Sequence, residues 1–158
     1  MAVYQRSTFT KISLLLAATC IISTILRGQL AYTPADSVKI FSWLHKADEL
    51  TGVSAFDSAN HYASLALQFG KDKKMLRGQA HAHIRLADIA YRRTESGLLF
   101  FHDSIALKIA GQLKDSFLLA LANHRLGQFY QEQEEYDERQ IYFHKALHLR
   151  FQAVQSSY

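Results

Sequence analysis

Apolar residues recur along most of the chain at the three- and four-residue steps of an amphipathic helix. Between Leu118 and Tyr130, for example, they stand at positions 118, 122, 126, 129 and 130, which places them on one side of a helix. Polar stretches such as "QEQEEYDER" separate these runs. The pattern therefore predicts an all-α fold with helices at about 36–51, 55–69, 75–93, 98–110, 115–133 and 136–153.

Four glycines fall between or beside these predicted helices, at Gly52, Gly70, Gly97 and Gly111. Helices commonly end in a residue with left-handed backbone geometry, which glycine adopts without steric cost. We therefore expect these glycines to form the turns between helices.

The helical pattern repeats along the chain with a period of about 40 residues, within the range typical of helical repeats. A shift by this period superimposes identical residues, namely Ala80 and Ala120, Ala82 and Ala122, Arg85 and Arg125, Leu86 and Leu126, Ala106 and Ala146, and Leu107 and Leu147. A second shift extends the match back to Ala66 and Leu67. The six helices thus form three antiparallel hairpins, in units of about 36–70, 75–111 and 115–153, within one domain spanning 32–158.

The last unit resembles the tetratricopeptide repeat (TPR). Its segment "LGQFY" supplies Leu126, Gly127 and Tyr130 at the family's Leu-Gly and Tyr positions, and Phe143 and Ala146 follow at the expected distances. In this pattern a Gly or Ala lets the partner helix come close, and a bulky residue fills the adjoining hole. The resemblance implies a short right-handed solenoid of stacked hairpins.

The other units carry the same pattern less completely. Trp43 takes the aromatic entry position, and Ala66, Ala87 and Ala106 take small positions. The departures from the family pattern are Ala90, Asp103, Arg139 and Phe151. The period also exceeds the family's value of about 34 residues, so we expect the extra residues in the connections "GKDKKM" and "GQLKDS".

The resemblance also implies a function. TPR modules of longer period stand behind a signal peptide in certain bacterial sensor histidine kinases and transcription regulators, and their first helices line a groove that binds protein or peptide. Seven residues of this chain are carried over as candidate partner-binding residues, namely His81, Asp88, Tyr91, Arg92, His124, Gln128 and Gln131. The same groove would include Phe41, Leu44, Asp48, Ile84, Leu121 and Glu132. The alternatives are a structural or oligomerisation unit, or a truncated remnant of such a sensor kinase.

The N-terminus has the pattern of a secretory signal. Basic residues Arg6 and Lys11 precede an apolar run at residues 12–26, and a polar chain follows. We interpret residues 1–31 as a signal peptide cleaved near Ala31; the alternative is an uncleaved membrane anchor formed by residues 12–26. Without this segment the chain has 15 basic and 14 acidic side chains. A domain so close to neutral gives no support for nucleic-acid binding.

Composition and motifs argue against catalysis. With 158 residues, 49% of them hydrophobic, the chain has the composition of one folded domain. It contains no phosphate-binding glycine motif and no glycine-flanked serine. His144 and His148 have the four-residue spacing of some zinc ligands, but no acidic residue follows His144 as in metalloproteases, so we assign both to the helix surface. The sequence therefore predicts no enzyme activity, cofactor or metal.

The last predicted helix is apolar over much of its circumference, with Ile141, Leu147, Phe151 and Val154. Only part of this surface can face the preceding helices. Since exposed apolar patches mark association surfaces, we expect the mature chain to self-associate through this helix or to bind a partner there.

Export is the first testable prediction. Cell fractionation should place the protein outside the cytoplasm, with a mature N-terminus near Tyr32, because the segment before it has the order of regions that the secretory machinery reads. A cytoplasmic protein that retains Met1 would contradict this interpretation.

Overall fold

A computed structural model of the chain describes residues 32–155, so the predicted signal segment 1–31 lies outside the described residues. Within this range 87% of the residues are helical and none is in a strand, which confirms the all-α prediction. The six helices are α1 (Pro34–Gly52), α2 (Phe56–Asp72), α3 (Leu76–Arg92), α4 (Ser96–Leu113), α5 (Ser116–Glu132) and α6 (Tyr136–Gln155). None of them is long and apolar enough to cross a membrane.

The helices form a repeating array in two layers. Each helix packs against its neighbours in the chain, and α1 also contacts α3 while α3 contacts α5. The even-numbered helices make no such contact with one another in the part of the chain that the structure describes. The odd helices are therefore drawn together on one side of the array, which is the side where a curved stack of repeats forms its groove.

The turns recur at even intervals along the chain, and the expectation that glycine forms them is wrong. No glycine in residues 32–155 has a positive φ; the left-handed position of each turn is held instead by Ser54, Lys74, Thr94, Lys114 and Glu134. In each turn the next N–H donates to a carbonyl five residues back, as Ala55 does to Leu50 at 2.9 Å. These bonds complete the helix end and offset the cost of left-handed geometry for an L-residue, about 1–2 kcal/mol.

The long period lengthens the helices rather than the turns, so the expected insertions in "GKDKKM" and "GQLKDS" are also wrong. The connections between helices contain only two or three residues, whereas the helices contain 17 to 20. Gly70, Gly97 and Gly111 lie inside helices as a result.

Small residues lie where helices approach most closely. Ala66, Ala87, Ala106 and Ala146 are all buried. Gly127 on α5 lies directly under the ring of Phe143 on α6: a Cβ added at Gly127 would stand 2.6 Å from Phe143 Cδ1. That separation is too short for any real contact, so a larger residue at this position would force the Phe143 ring to move.

Aromatic contacts join the two helices of the outer hairpins. Trp43 on α1 meets Phe69 on α2 edge to face, with ring centroids 5.5 Å apart. Tyr130 on α5 stacks on Tyr142 on α6 at 5.2 Å. These contacts are worth about 0.5–1.5 kcal/mol beyond the area they bury.

One residue that was predicted to face the groove is buried in the core instead. Ile84 was expected to face the groove, but it is fully buried in a cluster that also contains Ile109 of α4 and Leu118 of α5. It faces inward because α3 is the central odd helix, packed by α2, α4 and both other odd helices, and so has little free surface.

Leu126 tests the packing of α5. It is almost fully buried, so Leu126→Ala should lower the free energy of unfolding by roughly 2–5 kcal/mol. The matched control is Leu98→Ala on α4, which should cost about 0.5 kcal/mol or less because Leu98 is exposed. Chemical denaturation of both variants measures the difference, and equal effects would contradict the packing described here.

Candidate partner-binding groove

The odd layer contains a cleft between α1 and α3. Its volume is about 240 Å³, and the rings of Phe41 and His81 meet edge to face across it at 5.2 Å. Burial lowers the pKa of His81, with a smaller contribution from Arg85, so this imidazole is neutral at pH 7. The residues that line the cleft are Phe41, Leu44, His45, Asp48, His81 and Arg85.

A second cleft lies at the other end of the odd layer. It has a volume of about 200 Å³ and is lined by Phe117, Ala120, Leu121 and His124 of α5 and by Arg150 of α6. Phe117 is exposed. The ring of His124 packs on Phe143 of α6 at 5.3 Å. The lining is thus mainly apolar, with a cationic group at its edge.

Two ion pairs connect the odd helices, and the first of them lies in the cleft between α1 and α3. Arg85 Nε on α3 lies 2.7 Å from Asp48 Oδ1 on α1, and an Arg125 guanidinium N–H on α5 donates to Asp88 Oδ1 on α3 at 3.0 Å. The Nε–H of Arg85 finds no aligned acceptor among the described residues, so Asp48 is a charge contact there. The shift by one repeat period aligned Arg85 with Arg125 but did not predict which residues they pair with. A signal for these partners was present in the sequence, because Asp48 and Asp88 are also separated by one repeat period.

Arg125 holds a second carboxylate beneath the groove. Its Nε–H donates at 3.1 Å to Oδ1 of Asp103 on α4, which is fully buried. Oδ2 of Asp103 has no hydrogen-bond partner in the described part of the chain. Burial raises the pKa of Asp103 to about 7, against the opposing effect of Arg125. The tetratricopeptide pattern prefers an aromatic residue at this position, whereas Asp103 pairs with Arg125 here.

A pair of histidines joins α3 to α4. His83 Nδ1 and His102 Nδ1 are 2.9 Å apart, so one ring nitrogen must donate and the other must accept. Burial, followed by the neighbouring His102 and Lys71, lowers the pKa of His83 to about 4. Burial also lowers the pKa of His102. The pair is therefore neutral at pH 7.

Two of the candidate partner-binding residues line the clefts, His81 the first and His124 the second. Asp88 lines neither cleft, and its carboxylate is already paired with Arg125. The structure thus brings these side chains to one layer without bringing His81 and His124 into one cleft.

The other four candidates lie towards the C-terminal ends of α3 and α5. Tyr91 is half-buried against a core cluster that includes Leu99 of α4, and Gln128 is also half-buried. Arg92 and Gln131 are exposed. None of the four lines either cleft, so a ligand reaching them would extend beyond both.

His144 and His148 lie on α6, outside both clefts. Among residues 32–155, no group of three or more His, Cys, Asp or Glu side chains is arranged to hold a metal ion. The two histidines lie one helical turn apart, with Asp137 and Lys145 beside His144.

Two buried titratable groups, Asp103 and His83, should make the free energy of unfolding depend on pH in opposite directions. Folded Asp103 keeps its proton up to about pH 7, whereas an unfolded Asp loses it near pH 3.9. The folded state binds more protons in this window, so Asp103 lowers the free energy of unfolding as the pH rises from about 4 to about 7. Asp103→Asn, whose amide oxygen can still accept from Arg125, should therefore gain stability relative to the wild type over that rise.

His83→Gln is the matched variant with the opposite sign. The unfolded chain binds a proton at His83 near pH 6.5, and the folded chain only near pH 4. This side chain therefore lowers stability as the pH falls from about 6.5 to about 4, and its replacement should gain relative stability on acidification. Thermal melts of the three proteins at intervals from pH 4 to pH 8 measure both trends. Differences that stay constant with pH would contradict them.

The chain was also compared with known proteins. A scan against protein-family models, a search of curated proteins and a search of solved structures found no match. Its function has therefore to be inferred from the clefts, ion pairs and exposed faces described above.

Proposed function

We propose that residues 32–155 form a non-catalytic, TPR-like module that binds an extended peptide or protein segment along the odd helices. The observation that carries this proposal is the pair of clefts at the two ends of that layer, one against α1 and α3 and the other against α5. An extended segment can place one side chain in each cleft, whereas neither cleft encloses a ligand on all sides.

The proposal includes the finer fold assignment, a right-handed TPR-like solenoid. It is supported by buried small residues at the family's positions, such as Ala87 and Gly127, and by contacts between successive odd helices. The longer period is accommodated by longer helices, which leave the order of helices and turns unchanged.

The chemistry of the groove favours a mainly apolar ligand. Arg85 and Arg125 are paired with carboxylates inside the protein, and His81 is neutral, so little uncompensated charge lines the middle of the groove. The clefts offer the rings of Phe41 and Phe117 instead. Aromatic side chains, phenylalanine among them, are enriched in protein interfaces. Two apolar side chains separated by a polar stretch would fit best.

A structural or oligomerisation unit remains the second candidate. The specific observation in its favour is the exposed apolar surface of α6, where Leu147 and Phe151 lie. This surface is separate from the first cleft, so both functions can belong to one chain.

A peptide library tests the groove. Random 12-residue peptides displayed on phage would be selected on the purified protein, and the best sequence would be titrated by fluorescence polarisation. Phe41→Ala and Phe117→Ala should each weaken binding about tenfold or more, since each removes an aromatic contact worth about 1.4 kcal/mol or more. Phe101→Ala is the matched control, because Phe101 is an exposed phenylalanine on an even helix.

Circular dichroism of each variant should show unchanged helix content. Equal affinity of all three variants for the selected peptide would contradict groove binding. Arg92→Ala provides a further arm, because a loss of affinity there would show that the bound segment extends beyond the clefts to the end of α3.

A further inference from the structure

A pocket of about 240 Å³ lies in the crevice between the even helices α2 and α4. In the described part of the chain these two helices do not contact each other, and α3 closes the bottom of the crevice. The apolar part of the lining consists of Leu86, Ile89 and Ala90 on α3 and Leu98 on α4. The three α3 residues are almost fully buried, so the pocket reaches the core. It shares no residue with either cleft of the groove.

The rest of the lining is polar and consists of Asn60, Arg93, Glu95 and His102. The Arg93 guanidinium lies 2.9 Å from Asp57 Oδ1 and 3.0 Å from Glu95 Oε1, so its charge is balanced within the protein. His102 uses Nδ1 for the contact with His83, which leaves Nε2 for another partner. This nitrogen donates or accepts a hydrogen bond according to the tautomer of the ring.

The next repeat fills the equivalent crevice, between α4 and α6, with aromatic rings. The positions separated by one period of 40 residues are Asn60 and Phe100, Ala90 and Tyr130, and His102 and Tyr142. The Tyr130 ring on α5 stacks on that of Tyr142 on α6 at 5.2 Å, and its other neighbour is the ring of Phe100 on α4 at 6.4 Å. Tyr130 therefore connects two even helices that do not contact each other directly. The first crevice is open because position 90 carries only a methyl group.

The volume and lining of the pocket indicate what would fit. An apolar cavity of about 150 Å³ holds benzene, so this pocket has room for one substituted six-membered ring. A hydroxyl group on the ring both donates and accepts hydrogen bonds, and can therefore pair with Nε2 of His102 in either tautomer. A carboxylate fits less well, because Glu95 lines the pocket and Arg93 is already paired.

We propose that the crevice between α2 and α4 is a binding site for an uncharged phenol ring, which completes the first repeat interface as Tyr130 completes the second. The ring can belong to a small phenolic molecule or to a tyrosine side chain of another polypeptide, since both present the same chemistry. The site is separate from the groove of the odd helices and does not depend on peptide binding there.

Titration with p-cresol, which is the tyrosine side chain without its backbone, tests the site. In NMR spectra of the ¹³C-labelled protein, the methyl signals of Leu86, Ile89 and Ala90 should shift and saturate, with a dissociation constant on the order of 1 mM for so small a ligand. The methyl signals of Ile40, which lies in another core cluster, should stay in place. Toluene should bind about fivefold more weakly or worse, because it leaves the polar lining unpaired.

Two variants fill the pocket with the residues of the next repeat. Ala90→Tyr and Asn60→Phe should each raise the dissociation constant for p-cresol about tenfold or more. Asn60 is exposed, so its replacement leaves the core intact even if Ala90→Tyr does not fold. Ser58→Phe is the matched control: it adds the same ring at an exposed position of α2, about 160° away around the helix, and should leave the affinity unchanged. Circular dichroism of each variant should remain helical.

N-acetyltyrosinamide distinguishes the two sources of the ring. Tighter binding than that of p-cresol would indicate a tyrosine of a polypeptide, and weaker binding would indicate a free phenol. The proposal would be overturned by the absence of a saturable shift at any soluble concentration of p-cresol, or by shifts that Asn60→Phe and a folded Ala90→Tyr leave unchanged. Equal loss of binding in Ser58→Phe would also overturn it, and equal affinity for toluene would overturn the assignment to phenols.

Discussion

Close approach of neighbouring helices is the constraint on which the rest of this structure depends. Each helix has a buried small residue just past its middle, in the series Ala47, Ala66, Ala87, Ala106, Gly127 and Ala146. A side chain this small leaves room for the partner helix and for a bulky neighbour, as Phe143 shows over Gly127. Because the same solution recurs in every helix, long helices can stack with turns of only two or three residues.

The close packing of the helices determines which charged side chains are buried and which of them meet. Asp103 and Arg125 are brought together beneath the odd layer, where burial raises the pKa of the carboxyl group. Above them, the pairs formed by Asp48 with Arg85 and by Asp88 with Arg125 hold the odd helices side by side. The Asp48–Arg85 pair is partly exposed, and pairs of that kind are worth about 1 kcal/mol or less, whereas Arg125 is largely buried. Both pairs affect the groove. They neutralise its middle and leave the aromatic clefts as the surfaces available to a ligand.

The two terminal helices of the described array, α1 and α6, differ in the polarity of their exposed faces. The face of α1 that corresponds to a packing surface in α3 and α5 carries Lys46 and Glu49, which are compatible with water. The corresponding end of the array at α6 carries Leu147 and Phe151. The terminal faces of repeat arrays are usually polar or covered; among residues 32–155, this face is polar in α1 and apolar in α6. The first cleft and the apolar side of α6 share no residue, so the proposed binding at the first cleft need not prevent an association through α6.

The sequence by itself determined the helices, their order, the period and the small residues at helix contacts, because these depend on local periodicity and side-chain size. It misplaced the turns, since closing hydrogen bonds stabilise left-handed geometry at residues such as Lys114 without glycine. It also assigned Ile84 to the groove. Only the tertiary structure decided that Ile84 is buried and that His83 meets His102. Those outcomes depend on which side of each helix faces its neighbours, and periodicity within one helix does not specify how several helices stack.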